Sequence, residues 1–250
     1  MKTYILTIEP PNGSRILNAL RECERLDLSP EPVQGVTLQD ADLKAAYSPL
    51  ANVLRMKRSL TPGEIACYLG HRRIWAKMLD DGEEFALVCE DDFKVLDDDG
   101  FRSALAAARN REDWAVLKFF DFRPKPIWNS IPLGRLSMVD YKYPAAGAVC
   151  YLVRASGAEA MLRRKKIFRP VDVDFQYCWE FGITVRSVHP NPVGEMAENL
   201  GGSLLETARK SERPRRNPLS EIWKTVVSGE REIRSAAYRA RVKKMQRNNS

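Results

Sequence analysis

Histidine is scarce in this chain: only His71 and His189 occur among its 250 residues. The five cysteines (Cys23, Cys67, Cys89, Cys150 and Cys178) lie far apart, with no CxxC pair. A structural zinc site of the usual kind needs ligands clustered in sequence, and that spacing argues against one. An odd, scattered set beside apolar neighbours points instead to reduced, buried thiols in a reducing compartment. No stretch approaches the roughly 20 apolar residues that a membrane-spanning helix requires. The opening run, Tyr4-Ile5-Leu6-Thr7-Ile8, meets Glu9-Pro10-Pro11 without a signal-peptide core or a small-residue cleavage site, so it reads as a strand. The expectation is a cytoplasmic chain. Internal repeats and nucleic-acid motifs are missing too, so no nucleic-acid partner is expected.

What is present is unevenly charged. The net charge is +7 overall, yet residues 206–250 carry 13 Lys/Arg against 5 Asp/Glu, leaving 27 against 28 in residues 1–205. The chain therefore divides into a near-neutral globular part, 1–205, and a basic extension, 206–250. In the extension Leu219, Ile222, Trp223, Val226 and Val227 recur at helical spacing, Gly229 is expected to interrupt, and a second basic stretch follows. A basic amphipathic segment with a Trp suits an anionic membrane surface, where each nearby Lys or Arg contributes about 1 kcal/mol. The alternative is a helix packed on the domain with a solvated basic face.

Within 1–205 apolar runs alternate with helical patterns. Thr3–Ile8 reads as a strand and Ser14–Leu26 as a helix, while Pro30–Arg58 is mixed in pattern. Thr61-Pro62-Gly63-Glu64 is a helix start, with Thr61 as cap, Pro62 at the first helical position and Glu64 closing a capping box. That helix is expected to run to about Leu79. Phe85–Cys89 is continuously apolar, as a strand buried on both faces must be. A helix over Phe101–Asn110, a strand over Trp114–Phe120, a strand over Ala148–Val153, a helix over Ser156–Lys165 and a strand over Ile183–Val188 complete the pattern. Such alternation implies an α/β fold with a mostly parallel sheet.

Glu90-Asp91-Asp92 follows the buried strand. Ligands of open α/β sheets bind outside the carboxyl ends of the strands. Three crowded anions repel unless a cation or solvent relieves them. Mn²⁺ or Mg²⁺ would do so, since both prefer oxygen ligands shared with substrate phosphates. A solvated acidic turn is the competing reading, and Asp97-Asp98-Asp99-Gly100 is taken as such a turn. If the strand pleat continues, residues 90 and 92 point to one side and 91 to the other.

The run Leu60-Thr61-Pro62-Gly63-Glu64-Ile65-Ala66-Cys67-Tyr68-Leu69-Gly70-His71-Arg72-Arg73-Ile74-Trp75, with Ala86-Leu87-Val88-Cys89-Glu90-Asp91-Asp92-Phe93, closely resembles glycosyltransferase family 25. Gly147–Leu152, Pro170-Val171-Asp172 and His189-Pro190 add weaker matches. Gly70 stands where the family usually has Ser, and the turn Ile8–Arg15 departs from its usual form. The resemblance implies a GT-A-like fold, a nucleotide-diphosphate sugar donor, an inverting mechanism and a lipooligosaccharide acceptor on the cytoplasmic side. UDP-galactose is the donor that family habit suggests.

On that footing Asp92 is the first metal ligand, with Glu90 and Asp91 in support. Arg15 could pair with a donor phosphate, and His71 could line the donor site, although its helical stripe with Cys67 and Trp75 equally suits packing. An inverting transfer needs a general base. Asp172 and Asp174 are the candidates, on one side of a strand if the segment is extended, or with Asp172 as a helix cap. Phe122 and Trp128 are candidates for stacking on sugar or base. Two other readings of the acidic site stay open: a metal-dependent hydrolase, and a catalytically silent sugar-binding or scaffold protein.

Overall fold

The computed structural model of the chain describes residues 1–40, 42–56, 58–196, 228–240 and 242–243. Strand β1 (Thr3–Thr7) turns through Pro10–Gly13 into α1 (Ser14–Arg25) and returns as β2 (Pro30–Gln34). The mixed stretch that follows forms two short helices, α2 (Asp42–Ala46) and α3 (Pro49–Arg55), the second capped by the Ser48 side chain. Helix α4 (Pro62–Asp80) begins on the expected capping box: Glu64 N donates to Thr61 Oγ1 at 3.2 Å and Thr61 N donates to Glu64 Oε2 at 3.0 Å. Next come β3 (Phe85–Glu90), β4 (Phe93–Val95) and α5 (Asp98–Arg109). The Asp97–Gly100 segment is a helix start, not a free turn, because Asp97 Oδ1 accepts from Gly100 N at 2.9 Å and caps α5.

Strand β5 (Val116–Lys118) is shorter than the apolar run around it. A hairpin of β6 (Ile127–Leu133) and β7 (Leu136–Tyr141) then appears where no strand was expected. Its two-residue turn is made by Gly134, at φ 61°, and Arg135. The chain closes through β8 (Cys150–Arg154), α6 (Ala155–Leu162), α7 (Val171–Gln176), β9 (Val185–His189) and β10 (Val193–Glu195).

Eight strands form one sheet in the order β2-β1-β3-β8-β5-β9-β7-β6. β2, β1, β3, β5, β9 and β6 run one way, and β8 and β7 run against them. This is the mixed, mostly parallel α/β sheet that the alternating pattern implies. Side chains alternate across it. Tyr4, Leu6, Ala86, Val88, Tyr151 and Val153 pack with α4, α6 and α7 on one face. Ile5, Leu87, Cys89, Cys150 and Leu152 pack with α1 and α5 on the other. A strand buried on both faces has no polar side, which is why β3 reads as a continuous apolar run. β4 and β10 pair antiparallel as a separate two-stranded ribbon beside the carboxyl end of β3.

The glycine at position 70 has a packing cause. A Cβ there would stand 2.7 Å from Leu6 Cδ1 and 3.0 Å from Leu6 Cδ2, so the end of the Leu6 side chain must shift before a serine fits. Leu6 is buried, and overpacking a filled core costs about 1–3 kcal/mol. Gly70→Ser is expected to lose that much stability in denaturant unfolding. Joined to Leu6→Val it should cost less than the two single changes summed, and strict additivity would rule this cause out.

Candidate active site

β1 and β3 are parallel neighbours with Leu6 opposite Glu90, so both strands end at the same edge of the sheet. Thr7, the last residue of β1, donates through Oγ1 to Asp91 Oδ2 at 2.6 Å. Arg15, in the first turn of α1, donates from Nε to Asp91 Oδ1 at 2.7 Å and from Nη2 to Asp92 Oδ2 at 2.8 Å. One guanidinium therefore spans two carboxylates of the triplet. The alternation expected from a continuing pleat does not occur: β3 ends at Glu90, the chain turns, and Asp91 and Asp92 reach the same arginine. Arg15 is itself anchored, its backbone N donating to Glu9 Oε2 at 2.8 Å where Gly13 offers no capping side chain.

Asp92 is 4% exposed, and its Oδ1 is buried without a hydrogen-bond partner. Its backbone oxygen accepts from Met196 N at 2.8 Å, which ties the end of β10 to the triplet. Burial pushes the Asp92 carboxyl up to about 7, with Glu90 and Glu195 adding to the rise and Arg15 opposing it. Asp92 thus keeps one buried oxygen unengaged, with Glu90 near enough to raise its carboxyl, while its other oxygen and both oxygens of Asp91 are taken by Arg15 and Thr7.

Glu90 also meets α4. His71 is fully buried; its Nε2 lies 3.3 Å from Glu90 Oε1 and its Nδ1 lies 2.9 Å from the Tyr151 hydroxyl. Trp75 Nε1 donates to the same hydroxyl at 3.0 Å. Cys67, one turn before His71 on α4, completes a group whose sulfur, imidazole nitrogen and carboxylate oxygen lie within 4.8 Å of one another. The helical stripe of Cys67, His71 and Trp75 thus packs in the core and also meets Glu90 at the end of β3.

Asp172 and Asp174 lie on helix α7, not on a strand, so residues two apart face different ways and cannot work as a same-side pair. Asp174 is fully buried: Tyr68 Oη donates to it at 2.7 Å, Arg164 Nε stands 3.0 Å away and Arg169 Nη1 3.4 Å away. Burial pushes its carboxyl up to about 6 against the pull of Arg164 and Arg169. Asp172 is half-buried and accepts from Val173 N at 2.9 Å. Phe122 is 52% exposed with the Arg123 guanidinium 5.1 Å from its ring centre, whereas Trp128 is half-buried and donates to Tyr141 O at 2.9 Å.

Sequence reasoning missed Thr7, Tyr151 and Glu195 as neighbours of the triplet, and it treated Cys67 as packing alone. Thr7 closing an apolar strand was a readable signal; the others depend on which strands become neighbours. The basic extension is described over 228–240 and 242–243, where Gly229 lies in the first turn of the described helical residues. It packs on the domain: Val185 N donates to Tyr238 Oη at 3.2 Å, Arg231 donates to Gln176 Oε1 at 2.9 Å, and Arg231 lies 4.0 Å over the Tyr143 ring. The expected Leu219–Val227 helix lies outside the described residues.

Fold and site together define an α/β protein whose parallel strands β1 and β3 end at a group of carboxylates, two of them bridged by a single arginine. The model of glycosyltransferase family 25 (LPS biosynthesis protein) matches residues 18–176, and the chain belongs to that family. It is 31% identical over 75% of its length to a glycosyltransferase 25 family member of Aedes aegypti, of which it covers 31%. It is 29% identical over 53% of its length to procollagen galactosyltransferase 1 of Danio rerio, covering 22% of that protein. It is also 28% identical over 74% of its length to a probable inactive glycosyltransferase 25 family member 3 of Rattus norvegicus, covering 32% of that protein. The chain thus spans about a third or less of these relatives. Among solved structures, a Drosophila galactosyltransferase 7 in complex with manganese, UDP-Gal and xylobiose matches 86% of this chain and 82% of its own at 10% identity and TM-score 0.43. No described helix is long and apolar enough to cross a membrane.

Proposed function

We propose that this chain is a metal-dependent, inverting glycosyltransferase of GT-A-like fold that moves a sugar, galactose first, from a UDP-sugar to a lipooligosaccharide or lipopolysaccharide acceptor. The observation that carries this reading is the pair Asp91 and Asp92 bridged by Arg15 at the shared edge of β1 and β3, with Asp92 Oδ1 buried and unpartnered and Glu90 near enough to raise its carboxyl. Asp92 and Glu90 would hold Mn²⁺ or Mg²⁺, which supplies charge neutralisation for the diphosphate leaving group. Arg15 keeps Asp91 and Asp92 in place at the strand ends and adds a fixed positive charge that draws the donor diphosphate. Glu90 keeps His71 oriented on the donor side. The general base for the acceptor hydroxyl is proposed to be Asp172 or Asp174, the latter tied to Tyr68, Arg164 and Arg169. A cytoplasmic, peripheral location at the inner membrane face, with the basic extension against anionic lipid, suits a lipid-linked acceptor.

A catalytically silent sugar-binding or scaffold protein is the second reading, favoured by relatives whose names mark them as inactive. Calorimetric titration of UDP-galactose, UDP-glucose and their N-acetyl forms in Mn²⁺ separates the parts of this account. The expected result is saturable binding of one donor, abolished by EDTA, and transfer to lipooligosaccharide but not to a procollagen peptide. Binding without transfer to either acceptor would move the weight to the silent reading. No binding of any UDP-sugar would remove the donor assignment.

A further inference from the structure

We propose that Cys67, His71 and Glu90 form a second metal site, selective for zinc-like cations, on the α4 side of the acidic group. The spacing of cysteine and histidine along the chain argued against zinc, but the fold makes a cluster that sequence spacing does not. Cys67 and His71 are four apart on α4 and so share one face of the helix, and β3 delivers Glu90 to that face. One sulfur, one imidazole nitrogen and one carboxylate oxygen lie within 4.8 Å of one another. Four-coordinate zinc sites take this donor set, three protein ligands leaving one position for water. Sulfur and imidazole favour zinc over Mn²⁺ or Mg²⁺, which seek oxygen.

The surroundings of His71 support the assignment. A ligating imidazole needs its second ring nitrogen fixed by a hydrogen bond. Here Nδ1 faces the Tyr151 hydroxyl at 2.9 Å, and Trp75 Nε1–H already holds that hydroxyl at 3.0 Å. Tyr151 can accept from both, so the Nδ1–H tautomer is provided for and Nε2 is left as a lone pair facing Glu90. His71 is fully buried, whereas Cys67 is half-buried and the Glu90 side chain is 25% exposed, so a cation enters past Cys67 and Glu90. Binding releases the Cys67 thiol proton to solvent, and no oxidant or reductant is involved. Glu90 is shared with the oxygen site. Zinc here would therefore withdraw a ligand from Mn²⁺ and inhibit transfer; that consequence rests on the glycosyltransferase reading, while the binding itself does not.

Co²⁺ titration of the purified full chain tests the site through its spectrum and needs no substrate. The expected result is a near-ultraviolet sulfur-to-cobalt charge-transfer band that saturates at one ion per chain and is erased by Zn²⁺. The band should be lost in Cys67→Ser and kept in Asp92→Asn. A saturating band that survives Cys67→Ser would place the sulfur ligand elsewhere and overturn the proposal, as would no band in the folded wild-type chain. Loss of the band in Asp92→Asn with Cys67 intact would overturn the claim of two separate sites. Since none of these readouts involves UDP-sugar, failure here leaves the transferase reading standing, and failure of that reading leaves this site standing.

Discussion

Asp174→Ala should be among the most destabilising single changes in the described domain, costing about 3–5 kcal/mol in denaturant unfolding, as loss of one partner from a buried ion network does. The substitution leaves the Tyr68 hydroxyl without its acceptor at a fully buried position and removes one of the carboxylates facing Arg169, itself 1% exposed. Glu180 holds Arg169 through two bonds of 2.8 Å and also meets Arg164, so the network weakens without collapsing. Asp174→Asn, which keeps the shape, should cost less. The acid also carries a pH signature. Its folded-state value, about 6, lies above the usual carboxylate range, so between about pH 4 and 6 the folded chain binds a proton that the unfolded chain has released. Its contribution to stability therefore falls as pH rises through that window and is flat above it. Subtracting the Asp174→Asn stability profile from the wild-type profile isolates that slope. A difference of the opposite sign would mean that the arginines dominate over burial.

Arg15→Ala should separate the stability of the triplet from its chemistry. Asp91 and Asp92 are 5% and 4% exposed, and both lose the cation that bridges them. The expected loss is again about 3–5 kcal/mol in metal-free buffer. Protonation of Asp92, already favoured by burial, should relieve part of it below neutral pH. If the carboxylates also take a divalent ion, millimolar Mn²⁺ should restore more stability to this variant than it adds to wild type, by mass action on the folded state. Equal Mn²⁺ shifts in the two proteins would separate Arg15 from the metal site.

The sequence carried the parts of this account that are local. The capping box at Thr61 and Glu64 depends on residues three apart, and β3 announces itself because both its faces are buried. The acidic triplet was legible because it ends that strand. What failed depended on tertiary neighbours. The β6–β7 hairpin lies at the sheet edge, and its mixed residues, with Pro132 among them, carry no strong alternation. Asp97 looked like a solvated turn because a helix cap and a loop acid have the same side chain. The pair Asp172 and Asp174 suggested a strand, but helix α7 turns them apart and Arg164, Arg169 and Tyr68, brought from α4 and the loops beside α6, claim the second of them. Gly70 could be read as a departure from family pattern, yet only the approach of Leu6 explains it. The meeting of Cys67 and His71 with Glu90 likewise needs the registry of α4 on β3, which no spacing within α4 encodes.

The central claim is that the carboxylates held by Arg15 make a working donor site. UDP release from UDP-galactose with a lipooligosaccharide acceptor, followed with Mn²⁺ and with EDTA in wild type and Asp92→Ala, tests it most directly. The account predicts release in Mn²⁺, none in EDTA, and a fall of about 10²–10³-fold in the variant while its cooperative unfolding is retained, the scale seen when one preorganised electrostatic group is removed. Undiminished release by a folded Asp92→Ala protein would contradict it.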